Sequence, residues 1–366
     1  MAYTNIDDPS AHFQTLLYTG DSNSPRDLVN DGNSDLQPDW VWIKGRSHAD
    51  LHLLYDSSRG GGKFIRSEST AAENTGGYGL TAFNSDGFRT NAYAYSNENT
   101  HTYVAWQWKA NGGTTTSVSA SGTGANCINA STHQVNQDAG CSIITYTGRA
   151  DQITVHQQTN LTHGLGVTPD LTIMKKRDGT GDWVVMGKHI TTSSAYSANE
   201  HLHLNTSDGI SDAEYTGYVA PTSTYIYLGD ALVNDTGDDY VCYAFAEKQG
   251  YSKFGSYVGN GTANDGMFVY TGFKPAFVMI KKSSGTGNWL IYDNKRGAFN
   301  LNDEYVYANE ASAEATSSTS GYDFLSNGFK VRNTYNDGNV IGQTYIYMAF
   351  AESSFVTSGG IPTTAR

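Results

Sequence analysis

One short strand-like segment occurs three times in this chain, and it constrains the fold more than any other feature. In each copy a proline precedes a run of alternating apolar residues, and a lysine ends the run six residues after the proline. Proline has a fixed φ and no N–H to donate, so it belongs at the first residue of a strand. The segments are LQPDWVWIK at residues 36–44, LGVTPDLTIMK at residues 165–175 and TGFKPAFVMIK at residues 271–281.

A second strand, rich in aromatic residues, follows each proline at a nearly constant distance. Its leading tyrosine lies 65 residues after the proline in the first copy, 71 in the second and 70 in the third. The three versions are YVAWQW from Tyr103, YVCYAF from Tyr240 and YIYMAF from Tyr345. Two landmarks in the same order at similar separation predict a domain that occurs three times, rather than a solenoid, whose units are much shorter.

Composition supports an all-β chain. Among 366 residues there are 40 glycines, 25 tyrosines and only 7 prolines, which suits many short strands joined by turns. No stretch shows a helical period over a dozen residues, so helix is expected to be scarce. Asp86-Gly87 and Asn327-Gly328 predict tight hairpin turns. We therefore expect three tandem antiparallel β-sandwich domains of the jelly-roll or lectin-like kind.

The repeat also sets the expected domain boundaries. Residues 1–110, 141–250 and 251–366 are the three predicted sandwiches, the last one carrying a polar C-terminal tail. Residues 111–140 are mostly small and polar, which indicates a linker or an exposed ribbon. Open sheet edges are expected to be covered by this ribbon or by a neighbouring subunit. The connection near residues 249–253 is short, so the second and third domains should pack as a rigid pair.

The charge balance is acidic, with 36 acidic and 23 basic residues and a net charge of −13. A nucleic-acid partner is not expected, because phosphates require a basic stripe. No apolar run approaches 18 residues, so no membrane span is expected. The opening MAYTNIDDPS lacks the basic and apolar regions of a secretory signal.

The three cysteines show no metal-binding spacing. Cys242 lies in an aromatic strand and is expected to be a small buried hydrophobe. Cys127 and Cys141 flank a polar segment and could pair across a hairpin. Free thiols are the other possibility, and a reducing cytoplasm favours them.

Two Asp–Arg pairs are the most distinctive charged positions, and they are Asp56 with Arg59 and Asp293 with Arg296. An exposed Asp beside a tyrosine could bind sugar hydroxyls. Alternatively, Asp and Arg three residues apart at a turn form a local ion pair or a turn cap. The second copy has no such pair, because Gly187 and Ile190 stand at these positions, and this favours the structural interpretation.

Tyrosines spaced by two residues are the other candidate binding groups, because such a pair faces one side of a strand. These aromatic ledges could stack on sugar rings or fill a subunit interface, but they also suit a sandwich core or a cross-strand ladder. The three pairs are Tyr93 with Tyr95, Tyr225 with Tyr227, and Tyr305 with Tyr307.

Catalytic and metal-binding signatures are absent from the sequence. It contains no G-x-S-x-G elbow, no phosphate-binding glycine loop and no H-E-x-x-H motif. His201 and His203 would share a strand face, but no third ligand has suitable spacing. The loops at residues 234–239 and 333–338 could hold calcium through oxygen ligands, although a solvated hairpin loop explains them as well. We expect no cofactor and no enzyme activity.

The chain carries a set of long motifs from its first residues to its last. They are MAYTNIDDPSAHFQTLLYTG, SDLQPDWVWIK, HGLGVTPDLTIMKK, AFAEKQGYSKFGSYVGNGT, YTGFKPAFVMIKK, YDFLSNGFKV, TYIYMAFAE and GIPTTAR. Together they resemble an uncharacterised repeat-domain family of virion proteins encoded by tailed phages of marine bacteria and cyanobacteria. Cys127 and Cys141 depart from the family pattern.

This resemblance implies a virion-associated structural or tail-fibre protein with lectin-like β-domains, and it supplies no catalytic residues. We expect a non-enzymatic protein on the particle surface, as a fibre, a head decoration or a tail appendage, assembled in the host cytoplasm. Its expected partners are other virion proteins and further copies of itself, with a trimer favoured by virion symmetry. A second hypothesis is a host-attachment module that binds surface glycans through the tyrosine ledges. A third is a polysaccharide depolymerase.

Overall fold

The computed structural model describes residues 2–119, 128, 130–149, 159–191, 200–212, 220–229 and 232–363. Strands that form antiparallel sheets make up nearly all the regular structure in these ranges, which confirms the all-β prediction. Within the described ranges, helix is limited to one 3-10 turn at Pro9–Ala11 and the four-residue helix α1 at Ala94–Asn97. Neither of these described helices is long and apolar enough to cross a membrane.

The first part of the chain forms a four-stranded sheet and a three-stranded sheet. The strands are β1 Phe13–Thr19, β2 Arg26–Leu28, β3 Trp40–Gly45, β4 His52–Asp56, β5 Leu80–Phe83, β6 Phe88–Thr90 and β7 Thr102–Trp108. The larger sheet has the order β1-β7-β3-β4 and the smaller one the order β2-β6-β5. The hairpin between β5 and β6 turns at the predicted Asp86-Gly87, where Gly87 has a φ of 90°.

The middle part forms a seven-stranded sheet and a two-stranded sheet. The strands are β8 Thr116–Ser119, β9 Ala130–Asn136, β10 Cys141–Thr147, β11 Thr159–Thr162, β12 Leu171–Lys176, β13 Trp183–Gly187, β14 Leu202–His203, β15 Tyr225–Leu228 and β16 Asp239–Phe245. The larger sheet has the order β14-β13-β12-β16-β10-β9-β8, and β11 pairs with β15. The predicted ribbon therefore supplies β8 and β9, which extend this sheet along the outer edge of β10.

The last part forms a six-stranded sheet and a three-stranded sheet. The strands are β17 Ser252–Val258, β18 Phe268–Tyr270, β19 Phe273–Lys282, β20 Trp289–Asp293, β21 Glu304–Tyr307, β22 Ala315–Thr316, β23 Tyr322–Leu325, β24 Gly328–Val331 and β25 Thr344–Ser354. The larger sheet has the order β17-β25-β19-β20-β21-β22, and the smaller one has the order β18-β24-β23.

The three larger sheets contain the same four-strand arrangement, and we call each larger sheet with its smaller sheet a unit. The repeated order is β1-β7-β3-β4, β10-β16-β12-β13 and β17-β25-β19-β20. The pairing registers define equivalent positions, because Trp40 lies opposite Trp108, Leu171 opposite Phe245 and Phe277 opposite Phe350. The division into three separate domains remains a prediction.

The prolines take two different places relative to their strands. Pro38 and Pro169 each lie two residues before the strand begins. Pro275 lies inside β19, where the pairing register with β25 shifts on both sides of it. A proline cannot donate to a ladder, and a bulge accommodates it. Proline is therefore not the first strand residue in any unit: it precedes the strand in the first two units and lies inside it in the third.

The larger sheets are buried on both faces. On β3, Val41 and Ile43 pack into the core that the first unit's two sheets enclose, whereas Trp40 and Trp42 face a second core. That second core receives side chains from all three units. We call it the central core. The sequence predicted close packing only between the second and third units, and in the central core the first unit packs against them as well.

The ends of the three aromatic strands meet in the central core. Phe350 lies 5.6 Å from Trp108 and 5.9 Å from Phe245, measured between ring centroids. Trp40 stacks on Trp108 at 4.3 Å and on Tyr243 of the second unit at 4.4 Å. Large aromatic side chains bury 150–250 Å² each, so contacts of this kind hold the units together.

Candidate functional site

Asp56 is the centre of a buried polar network between the first and second units. Its Oδ1 accepts the backbone N–H of Arg59 at 2.9 Å, and its Oδ2 pairs with the Arg59 guanidinium. The hydroxyl of Tyr243, from the second unit, donates to the same Oδ2 at 2.8 Å. The predicted ion pair and turn cap are therefore both present, and they connect two units.

Glu73 extends this network to a second arginine. Its carboxylate accepts from Arg59 Nη1 at 2.7 Å and lies 3.1 Å from Nη2 of Arg177 in the second unit. Burial alone raises the pKa of Glu73, but the two guanidinium groups outweigh it and lower that pKa below its usual value. The carboxylate therefore stays ionised between two positive charges.

The same network recurs between the third and first units. Asp293 pairs with Arg296 at 2.6 Å and accepts from the indole N–H of Trp106 at 3.0 Å. Glu314 lies 3.1 Å from Arg296 and 2.8 Å from Arg46 of the first unit. Trp106 and Tyr243 occupy equivalent positions, so each Asp–Arg pair is completed by the corresponding residue of a neighbouring unit.

Burial decides between the two interpretations of these pairs. The side chains of Asp56, Arg59, Asp293 and Arg296 have an exposure of 0%. The sequence-based expectation of an exposed Asp that binds sugar hydroxyls is therefore wrong for both carboxylates. Their oxygens are used inside the protein, where an unpaired charge would cost several kcal/mol.

A buried lysine also connects each unit to a neighbour. Lys44 donates to the carbonyl of Ala311 at 3.2 Å, Lys175 to that of Thr70 at 3.2 Å, and Lys281 to that of Ser207 at 2.9 Å. These are the lysines that end the three repeated segments. Burial lowers the pKa of each ammonium group to about 8.

The residue opposite each of these lysines, on the neighbouring strand, has a ring N–H that bonds to the same neighbouring unit as the lysine does. The indoles of Trp183 and Trp289 donate to the carbonyls of Arg66 and His203 at 2.8 and 2.9 Å. The equivalent residue of the first unit is His52, whose Nε2 lies 2.9 Å from the carbonyl of Tyr307. Its Nδ1 accepts from Trp42 at 2.8 Å, and burial lowers its pKa, so Nε2 carries the proton. The three contacts close a cycle in which every unit contacts both others.

Tyr93 and Tyr95 do not lie on a strand, which corrects the prediction for this pair. Tyr93 precedes α1 and Tyr95 lies within it. The Tyr93 ring stacks on Tyr78 at 4.9 Å and meets Tyr95 edge-on at 5.4 Å. They form a partly exposed aromatic cluster rather than a flat ledge.

The other two tyrosine pairs lie on strands but differ in burial. Tyr225 and Tyr227 are half-buried on the outer face of β15, with their centroids 6.5 Å apart. Tyr305 is buried, and the hydroxyl of Tyr307 lies 2.6 Å from that of Tyr335. The third pair therefore belongs to internal packing, as the core interpretation expected.

An exposed aromatic pair that sequence reasoning missed lies on β18. Phe268 and Tyr270 are 44% and 53% exposed on an edge strand, while Val269 between them is buried. Phe268 lies opposite Lys330, and Tyr270 lies opposite Gly328. The signal was present as the alternation in Phe268-Val269-Tyr270. We call Phe268 and Tyr270 the β18 ledge.

The remaining polar candidates show no metal-binding arrangement. His201 is buried and His203 half-buried, with their rings 4.9 Å apart. Within the described ranges, no three His, Cys, Asp or Glu side chains are arranged to hold a metal ion. In the two proposed calcium loops, Asn234 bonds to the N–H of Arg149 at 2.8 Å, and Asn333 bonds to the N–H of Tyr335 at 3.2 Å.

The two cysteines that the structure describes are both buried. Burial raises the pKa of the Cys141 and Cys242 thiols, so neither is a ready nucleophile. Cys242 is a small core residue, as expected. Cys127 lies outside the described residues, and so does the predicted pairing with Cys141.

Comparison with known protein families identifies a match over most of the chain. The family model described as Domain of unknown function (DUF7483) matches residues 8–354. No curated protein and no solved structure matches the chain.

Proposed function

This chain belongs to the DUF7483 family, and from that premise we propose that it is a non-enzymatic structural protein on the surface of a phage particle. A fibre, a head decoration and a tail appendage are the three forms of this role. The family description assigns no activity, so the proposal draws on the motif resemblance and on the structure. Its expected partners are other virion proteins.

The central core is the observation that carries this proposal. Phe350, Trp108 and Phe245, one from each unit, meet in this core and pack the three units against one another. The carboxylates of Asp56 and Asp293 are held inside the junctions instead of facing a cleft. Such a body resists relative motion of its parts, and this suits a scaffold better than a catalyst.

The finer architecture is part of the same proposal. Each unit pairs a larger sheet with a smaller one around an apolar core, and this favours three jelly-roll or lectin-like sandwiches. We also propose that the protein forms a homo-oligomer, with a trimer expected from virion symmetry. Sedimentation of the purified chain measures this directly, and a monomer at particle-like concentrations would argue against it.

Imaging of purified particles tests the particle assignment. We expect density that accommodates the compact three-unit body at a repeated position on the head or tail. Mass spectrometry of the same particles should detect the chain. If gradient-purified particles lack the protein, the structural proposal is wrong.

The β18 ledge supports a second candidate, a host-attachment module that binds a surface glycan. Its two aromatic side chains are spaced by two residues on an edge strand, so both rings face solvent on the same side. Lys330 lies opposite Phe268 on β24, and Asp323 lies opposite Lys330 on β23, so polar side chains continue the sheet beside the ledge. Aromatic faces with adjacent hydrogen-bonding groups are what pyranose rings require.

Whole-cell and glycan-array binding test this candidate. We expect Phe268→Ala with Tyr270→Ala to abolish binding while leaving the melting temperature unchanged. Phe299→Ala is a matched control, because Phe299 is 86% exposed and lies outside the ledge. If the ledge variant binds as well as the native chain does, the glycan-binding proposal is wrong. Release of reducing sugar from host polysaccharide would instead favour the depolymerase hypothesis.

A further inference from the structure

Three equivalent strand edges lie where the units meet, and one of them is already covered. In the second unit, β10 ends the four-strand arrangement, and β9 from the ribbon pairs along its outer edge. The equivalent strand of the first unit, β1, is the last strand of its sheet. In the described part of the chain no strand pairs with its outer edge.

The covered edge shows what an added strand does there. Gln134 on β9 lies opposite Ile143 on β10. Its side-chain amide donates to the hydroxyls of Ser57 and Ser58, both at 2.7 Å. The strand therefore extends the second sheet and also bonds to the turn after β4 of the first unit.

The corresponding position beside β1 is a cleft between the first and third units. It has a volume of about 340 Å³. Thr15 on β1 is the equivalent of Ile143, and Asn294 and Lys295 are the equivalents of Ser57 and Ser58. All three residues line the cleft. The residues that lie beside Gln134 at the other junction therefore have equivalents here.

Among the described residues, the outer edge of β1 carries backbone groups that pair with no other strand. The N–H of Gly20 donates to the carbonyl of His101, so the backbone groups of Gly20 point towards β7. Successive residues of a strand point their backbone groups to opposite sides, and the N–H groups of Thr15 and Leu17 therefore point away from β7, to the outer edge. The Thr15 hydroxyl is also buried, at 4% exposure, and has no partner among the described residues. A buried hydroxyl without a partner is costly, which favours a ligand that supplies one.

We propose that this cleft binds an extended segment of a partner polypeptide, which adds as an antiparallel strand to the outer edge of β1. The charges at the cleft already have partners, because Lys295 pairs with Asp31 at 3.0 Å and Glu352 with Lys274 at 2.8 Å. The incoming side chain opposite Thr15 is therefore neutral and polar, as Gln134 is at the equivalent edge. This inference does not depend on the particle assignment.

The experiment uses the full chain and a fluorescent peptide of residues 130–136, ASTHQVN, which is the β9 strand itself. We expect saturable binding by fluorescence anisotropy, together with slowed amide exchange at Thr15 and Leu17. N-methylation of the peptide at the positions of Thr132 and Gln134 should weaken binding about tenfold or more, because these amides face the edge strand.

The matched control is the same peptide N-methylated at the positions of His133 and Val135, whose amides face away. It should bind like the unmodified peptide. Asn294→Ala in the full chain should weaken binding without loss of stability. No binding at millimolar peptide, equal effects of the two N-methylation patterns, or protection confined to β17 would each overturn the proposal.

Discussion

Two junctions between units differ in the side chains at equivalent positions. One joins the first and second units, and the other joins the second and third. The first uses five polar or charged residues: Asp56, Arg59, Glu73, Arg177 and Tyr243. At the equivalent positions of the other junction stand Gly187, Ile190, Ile210, Ser283 and Met348.

The backbone is nearly the same at both junctions despite this exchange. Glu73 donates its N–H to the carbonyl of Arg177 at 2.7 Å, and Ile210 donates its N–H to that of Ser283 at 2.9 Å. Ile190 is buried in the central core where Arg59 would be. Two units can therefore pack against each other without this ion network. Four changes test this comparison.

The largest expected effect is that of Asp56→Ala. The change leaves Arg59 buried with one carboxylate partner fewer, and we expect a loss of about 3–5 kcal/mol in the free energy of unfolding. Denaturant unfolding of the full chain measures it. A loss below about 1 kcal/mol would mean that the network is solvated in solution, contrary to its burial.

The lysines predict a pH dependence of stability. Burial lowers the pKa of Lys281 from 10.5 to about 8, so above pH 8 the unfolded chain binds more protons than the folded one. Stability should therefore rise with pH from about 8 towards 10.5, by at most about 1.4 kcal/mol per pH unit for each such lysine. Below pH 8 the cost of the buried charge is fully present.

The control for this effect is Lys281→Met, which removes one titrating group. Its stability should rise less steeply between pH 8 and about 9.5, a range chosen because tyrosines begin to titrate near pH 10. Parallel slopes for the two proteins would show that this lysine does not titrate in that window.

Replacing the whole network sharpens the comparison further. The variant combines Asp56→Ala, Arg59→Ile and Glu73→Ile with Arg177→Ser and Tyr243→Met, which copies the other junction except that Ala replaces Gly at position 56. Buried ion pairs exchanged for apolar groups are often neutral, so we expect stability within about 1 kcal/mol of the native chain. If the variant is as unstable as Asp56→Ala alone, the two junctions are not interchangeable.

The smallest effect is expected at Lys295, the residue next to Arg296. Lys295 pairs with Asp31 at 3.0 Å, but the two side chains are 39% and 58% exposed. We expect Lys295→Ala to change stability by less than about 0.5 kcal/mol. An effect close to that of a buried network residue would show that the ion pair contributes to the junction.

The sequence predicted the elements well and their burial poorly. β1, β3 and β7, with their counterparts in the other units, follow from alternation and aromatic content. The Asp–Arg spacing correctly predicted a turn cap and an ion pair. Whether that pair is exposed depends on Tyr243 and Trp106, which lie 187 residues away in each case. No local pattern carries this information.

Two errors have local causes. Tyr93 and Tyr95 have strand-like spacing, but a single helical turn forms there, so the spacing does not place both rings on one strand face. The β18 ledge was missed because its exposed residues are apolar, and polarity alone does not show which face of an edge strand meets solvent.

Alternation and turn residues are properties of neighbouring residues, and the threefold repeat is visible when segments of the sequence are compared, so the sequence by itself determined an all-β chain with three similar strand sets. Tertiary structure decided how those sets share one core, which charges are buried and which edges stay open. The physical reason is that backbone geometry fixes a two-residue period locally. Burial, in contrast, depends on contacts between residues that lie far apart in the chain.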